Sequence, residues 1–108
     1  MYQVTLTPSA RRDLLRLDFS IQKRIVNGLE KLARNPIPAG VEKLSGAERF
    51  WRIRIGDYRI VYAVDEDHRL VIAAIIRHRK DVYKDLGKLD AKTVLDLVLS
   101  AGSGKKNR

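Results

Sequence analysis

The strongest patterning in this chain runs from Phe50 to Tyr83, FWRIRIGDYRIVYAVDEDHRLVIAAIIRHRKDVY, where apolar and charged positions alternate. Successive side chains of a strand point to opposite faces. Trp51, Ile53 and Ile55 therefore share one side, and Arg52 and Arg54 the other. Gly56-Asp57 supplies a two-residue hairpin turn with glycine first, as a type II′ turn prefers. That turn sets Ile55 opposite Tyr58, Arg54 opposite Arg59 and Arg52 opposite Val61, and directly opposed residues lie on one face. Arg52, Arg54 and Arg59 converge on one side, backed on the other by Trp51, Ile53, Ile55, Tyr58, Ile60, Tyr62 and Val64. A charged loop at 65–68 leads to a third strand over about 69–77. Pairing Val64 with Leu70 carries Arg77, and beyond it Arg79, to the arginine face. A one-residue slip would turn them into the core, where arginine is least tolerated.

Elsewhere the pattern is helical. Residues 2–7 alternate and read as an N-terminal strand. Thr7-Pro8 then opens a helix, Thr as N-cap and Pro at the first helical position, with Leu14, Leu15 and Leu17 as its apolar side. Ile21, Ile25, Leu29, Leu32 and Ala33 recur at helical spacing over about 20–34, and the prolines and glycine of 35–40 end that helix. A short helix is expected from near Lys80, carrying Tyr83. Asp90 caps a last amphipathic helix with Val94, Leu95, Val98 and Leu99 on one side. The expected fold is α+β: an N-terminal strand and a two-helix hairpin packed on a curved antiparallel sheet, with a C-terminal three-strand meander and a terminal helix. Residues 1–100 form a single domain and 101–108 a frayed basic tail.

Charge changes the picture. Lys and Arg outnumber Asp and Glu by 22 to 13, a net +9 over 108 residues, which suits a polyanionic partner: nucleic acid or an acidic protein. With no cysteine, disulfides and thiolate chemistry are excluded, and a reducing cytoplasm is the expected location. The longest aliphatic run, residues 71–76, is too short to cross a bilayer. His68 and His78 lack metal-ligand spacing, no pair of carboxylates stands out as an acid/base couple, and Gly102-Ser103-Gly104-Lys105 lacks the strand and spacing of a phosphate loop. No metal or cofactor is expected. The facing arginines read either as a solvated charged face or as a concave anion site; like charges at opposed positions go against the usual cross-strand preference and favour the second.

WRIRIGDYRIVY followed by HRKDVY resembles the RelE branch of the RelE/ParE toxin superfamily, small basic proteins of bacteria and archaea encoded beside an antitoxin. The likeness extends over nearly the whole chain, including Lys43-Leu44-x-Gly46 before the meander. It implies a metal-independent, ribosome-dependent endoribonuclease that cuts messenger RNA to 2′,3′-cyclic phosphate ends and so stops translation. By that resemblance Arg59, Arg79 and Tyr83 are the catalytic candidates, with Arg52, Arg54 and Arg77 holding substrate. Arg52 and Arg54 stand where well-studied members carry lysines, and arginine does not give up its proton. The general base therefore falls to Tyr83 or His78. Histidine is a common proton-transfer group, yet strand alternation turns His78 away from Arg77 and Arg79, which favours a packed or capping role. Tyr83 reads equally as a stacking or proton-transfer group and as an ordinary packing residue. The implied partner is an antitoxin in a hetero-oligomer, covering Arg52 or Arg59 or moving Tyr83. Val94, Leu95, Val98 and Leu99 read either as a docking stripe for it or, more ordinarily, as intramolecular packing. Two other functions fit the residues: a ParE-like gyrase poison, and a basic sheet that binds nucleic acid without cleaving it.

Overall fold

A computed structural model of the chain describes residues 1–44 and 49–80. The candidate Tyr83, Gly46, the short helix after Lys80, the Asp90-capped helix with Val94, Leu95, Val98 and Leu99, and the 101–108 tail lie outside the described residues. The order of elements is β1 (Gln3–Leu6), α1 (Pro8–Leu15), α2 (Phe19–Lys31), β2 (Glu42–Lys43), β3 (Phe50–Ile55), β4 (Tyr58–Asp65) and β5 (Leu70–His78).

Thr7 caps α1 as its sequence position predicts. Its side-chain oxygen accepts from the Ala10 amide at 3.2 Å, with Pro8 in the first turn. After α1 the chain turns at Arg16–Asp18, where Gln22 Nε2 donates to Leu17 O at 2.8 Å and ties the end of one helix to the start of the next. Ile25, Leu29 and Leu32 of the second helical segment are buried against the sheet, as their spacing requires. Leu15 departs from expectation: it is exposed at the end of α1 while Leu14 and Ala10 enter the core.

The five strands lie in the order β1-β5-β4-β3-β2. The expected all-antiparallel sheet is corrected in one place, since β1 runs parallel to β5, Gln3 pairing with Leu70 and Leu6 with Ala73. The helical hairpin carries the chain across the sheet and lets the first and last described strands run the same way, a crossover that parallel pairing requires. The two-residue β2, pairing Glu42 with Arg52 and Lys43 with Trp51, was not foreseen. The β3–β4 hairpin has the predicted register throughout, turning at Gly56 with φ 59°, the left-handed first position that a type II′ turn demands.

The register of β5 is the second correction. Val64 pairs with Val71, one residue off the expected partner. Continued unbroken, that slip would have turned Arg77 into the core. A bulge restores the phase instead: Tyr62 pairs with Ala73 and Val61 with Ile75, so Ala74 is the extra residue. Past it, Arg59 stands opposite Arg77. Thr7 braces the bulge, its amide donating to Ala73 O at 2.9 Å and its hydroxyl to Ala74 O at 3.1 Å.

Two apolar clusters follow from the alternation. On the helix side Ile60, Tyr62, Val64, Val71, Ala73 and Ile76 meet Ala10, Leu14, Ile25, Leu29 and Leu32. On the opposite side Phe50, Val61, Ala63, Ala74 and Ile75 are buried together, with Leu44 against them. No described helix is long and apolar enough to cross a membrane.

Candidate functional site

The arginine face follows directly from these registers. Arg54 of β3 opposes Arg59 of β4, and Arg59 opposes Arg77 of β5, so three guanidinium-bearing residues form one row across three neighbouring strands. Directly opposed Cβ atoms in an antiparallel pair stand ~4.5–5.5 Å apart. The row is thus close enough for long side chains to address one anion. Arg52, two residues before Arg54 and opposite Val61, lies on the same face. Arg79 sits just past the end of β5, where its amide donates to Asp57 O at 2.7 Å and anchors it beside the β3–β4 turn; its side chain is exposed.

The four cations of the face are held differently. Arg52 is mostly buried and ion-paired to Glu42 across the β2–β3 ladder. The Arg52 guanidinium, through its hydrogen bond and its charge, lowers the Glu42 pKa below the ordinary carboxylate value, and the Arg59 charge contributes in the same direction. Arg77 reaches Asp13 on α1 at 2.5 Å and its own strand's Ile76 O at 2.9 Å. It can do so because β1 covers β5 only from Leu70 to Ala73. Among the described residues Arg59 is braced by backbone, Nη1 donating to Tyr58 O at 3.1 Å and Gly56 O at 3.3 Å. Arg54 is exposed and has no ion pair among the described residues. Among the described residues, the face therefore holds two cations steadied by carboxylates and two without one. Asp13 and Glu42 escaped the sequence reading. Asp13 meets Arg77 across 64 positions of chain with no local signal, and Glu42 lies on a strand of two residues.

His78 stands on the other side of β5. It is paired with Tyr58, and the two rings meet edge to face at 5.4 Å and 86°. Its Nδ1 accepts the Lys80 amide at 3.2 Å, which fixes that nitrogen as an acceptor and caps the turn that begins at Arg79. The other histidine, His68, pairs with Asp65 at 2.9 Å in the β4–β5 turn. Burial alone would raise the Asp65 pKa; the His68 amide, ring and charge outweigh it and leave it lowered.

Arg54, Arg59 and Arg77 thus form a cationic row on the side of the sheet away from the two helices. The family model described as "ParE toxin of type II toxin-antitoxin system, parDE" matches residues 4–83. Toxin RelG of Mycobacterium tuberculosis is 32% identical over 84 residues, covering 77% of this chain and 97% of that one. Toxin RelE of the same organism is 36% identical over 84 residues, covering 77% and 87%. Among solved structures, the M. tuberculosis toxin–antitoxin complex RelBE2 aligns at TM-score 0.65 and 31% identity over 72% of this chain and 98% of that one. The isolated RelE toxin of E. coli aligns at TM-score 0.66 and 21% identity over 82% and 97%, and supports the fold. The chain belongs to the RelE/ParE toxin superfamily, on its RelE-like branch, and is a toxin of the type II toxin–antitoxin class.

Proposed function

We propose that the chain is a ribosome-dependent, metal-independent messenger-RNA endoribonuclease. The observation that carries the reading is the row Arg54–Arg59–Arg77 across three strands, two of whose members face no carboxylate among the described residues. Three like charges in a row are mutually unfavourable until a multiply charged anion joins them. A phosphodiester under attack is such an anion. The 2′-oxygen of the preceding ribose forms a bond to phosphorus, the bond from phosphorus to the 5′-oxygen breaks, and the 2′-hydroxyl proton leaves while the 5′-oxygen gains one. The products are a 2′,3′-cyclic phosphate and a 5′-hydroxyl.

In this reading Arg59 and Arg79 stabilise the charge that builds on the pentacoordinate phosphorus, each worth ~10²–10³ in rate. Arg52, Arg54 and Arg77 hold the bent backbone for in-line attack. Asp13 and Glu42 steady Arg77 and Arg52, so that little side-chain entropy is lost when phosphate arrives. Tyr83 is assigned base stacking or proton exchange, and His78 the capping role its geometry supports. Arginine does not deprotonate at neutral pH, so the acid–base share is small and the catalysis chiefly electrostatic.

The inferred partner is a cognate antitoxin in a hetero-oligomer, since the matching M. tuberculosis structure is a toxin–antitoxin complex. An acidic antitoxin segment laid over the arginine row would neutralise it. The test is induced expression followed by primer extension on a translated message. Arg59→Ala with Arg79→Ala should abolish the cut ends, and undiminished cleavage by that double variant would refute the assignment. The ParE description of the matching family model motivates the second reading, a gyrase poison; intact messages with an induced DNA-damage response would favour it.

A further inference from the structure

A groove of about 850 Å³ runs between α2 and the outer end of β3, meeting the arginine row only at Arg54. Lys23, Asn27 and Lys31 line it at intervals of four residues, so they share one face of the helix and span ~12 Å along its axis. Arg24 lies against Gly56 at the hairpin turn, and Arg54 closes the strand side. The floor is apolar, made by Leu32, Ile53 and Ile55, and no aspartate or glutamate among the described residues lines the groove. Among the described residues, Lys23, Arg24, Lys31 and Arg54 make no ion pair.

At the helix-start end stands Phe19, 73% exposed, with Lys23 Nζ 5.4 Å from its ring centroid. A line of cations beside an exposed ring is the arrangement that holds single-stranded nucleic acid, with phosphates on the cations and a base on the aromatic face. A duplex keeps its base faces stacked inside and offers Phe19 nothing.

From these features we infer that the groove is a second RNA site, taking a single-stranded segment whose phosphates lie on Lys23, Arg24 and Lys31 and whose terminal base stacks on Phe19. Arg54 belongs to both surfaces. A strand leaving the arginine row can thus cross the edge of β3 and enter the groove, so that nucleotides flanking the cleaved bond supply binding energy. The inference takes the identity of the strand from the ribonuclease reading, but its geometry is independent of the cleavage chemistry.

The test measures binding of the full chain to a labelled 2′-O-methyl oligoribonucleotide, which lacks the attacking hydroxyl, over a series of salt concentrations. Lys23→Gln with Lys31→Gln should weaken binding about tenfold or more and shrink the single-strand salt slope by roughly 1.4, about 0.7 for each phosphate no longer neutralised. Phe19→Ala should weaken it about fivefold or more. Asn27→Lys, which adds a cation to the same line, should tighten it and serves as the check should the double variant fold poorly. Arg11→Gln with Arg12→Gln, exposed on α1, is the control for net charge.

Wild-type affinity in the Lys23/Lys31 variant would overturn the inference, as would an equal loss in the α1 control. Equal binding of an RNA duplex would also overturn it, and so would tighter groove-dependent binding of a glutamate-rich peptide. The two readings fail separately. Groove-dependent binding by a protein that never cuts messages sinks the ribonuclease and leaves the groove standing, whereas cleavage indifferent to the groove variants, with unchanged affinity, does the reverse.

Discussion

Tyr62 illustrates how one residue couples the core to a loop. Its ring is fully buried, and its hydroxyl donates to Pro36 O at 2.7 Å, pinning the loop after α2 onto the middle of the sheet. Burial pushes its pKa from the ordinary 10.0 up to about 12. The folded state thus keeps a proton that the unfolded chain releases, so the stabilisation is complete below pH 10 and is lost as pH rises towards 12. At ~1.4 kcal/mol for each unit of pKa difference the loss amounts to about 2–3 kcal/mol. Tyr62→Phe should cost about 1 kcal/mol near neutrality, leaving the Pro36 carbonyl unpaired, yet lose less stability than the wild type between pH 10 and 12. Urea denaturation across that range measures both effects, and parallel pH profiles for the two proteins would show that Tyr62 does not carry the alkaline limb.

Strand β5 is the element on which the arginine row depends, and Thr7 is what holds β5 in phase. The buried Thr7 hydroxyl accepts from Ala10 and donates to the bulged Ala74 carbonyl, so one oxygen serves both the cap of α1 and the bulge. Thr7→Val keeps the shape and removes both bonds. The lost cap and the unpaired buried carbonyl together should cost about 2–4 kcal/mol. If the bulge relaxes, Arg77 leaves its place opposite Arg59. Amide exchange at residues 73–77 should then rise before the global unfolding limit is reached, and unchanged protection there would refute the bracing role. This element also marks where the sequence stopped being legible. The β3–β4 register could be read because Gly56 fixes the turn and the alternating arginines give the pattern a phase. Residues 71–76, VIAAII, are apolar throughout, and a run without polar positions cannot report a one-residue slip. Nor could it report the bulge that corrects the slip. The parallel pairing of β1 and the reach of Asp13 to Arg77 are contacts between distant parts of the chain, invisible to local pattern. The faces of Arg52, Arg54 and Arg59 were legible; the carboxylate partners of Arg52 and Arg77 were not.

At the scale of the whole molecule the surplus of +9 makes every anionic partner a competitor for the same field. RNA in the proposed reaction and an acidic antitoxin would both be drawn to the arginine row, and the difference between them lies in salt. Association steered by charge slows as ionic strength rises, because the Debye length shrinks from ~10 Å at 0.1 M to ~3 Å at 1 M. If the antitoxin neutralises the row directly, its association rate with this chain should fall at least about tenfold between those salt concentrations, while the dissociation rate changes less. Arg54→Gln with Arg59→Gln should flatten that dependence, since these two arginines have no carboxylate among the described residues to offset them. The corresponding change at Arg52, already facing Glu42, should flatten it less. Stopped-flow mixing of toxin and antitoxin over a salt series reads both effects. A rate indifferent to salt would mean that the antitoxin docks through apolar contacts. A slope unaltered by the double variant would mean that cations outside the arginine row, such as those of the α2 groove, steer it. Either result leaves the row to RNA.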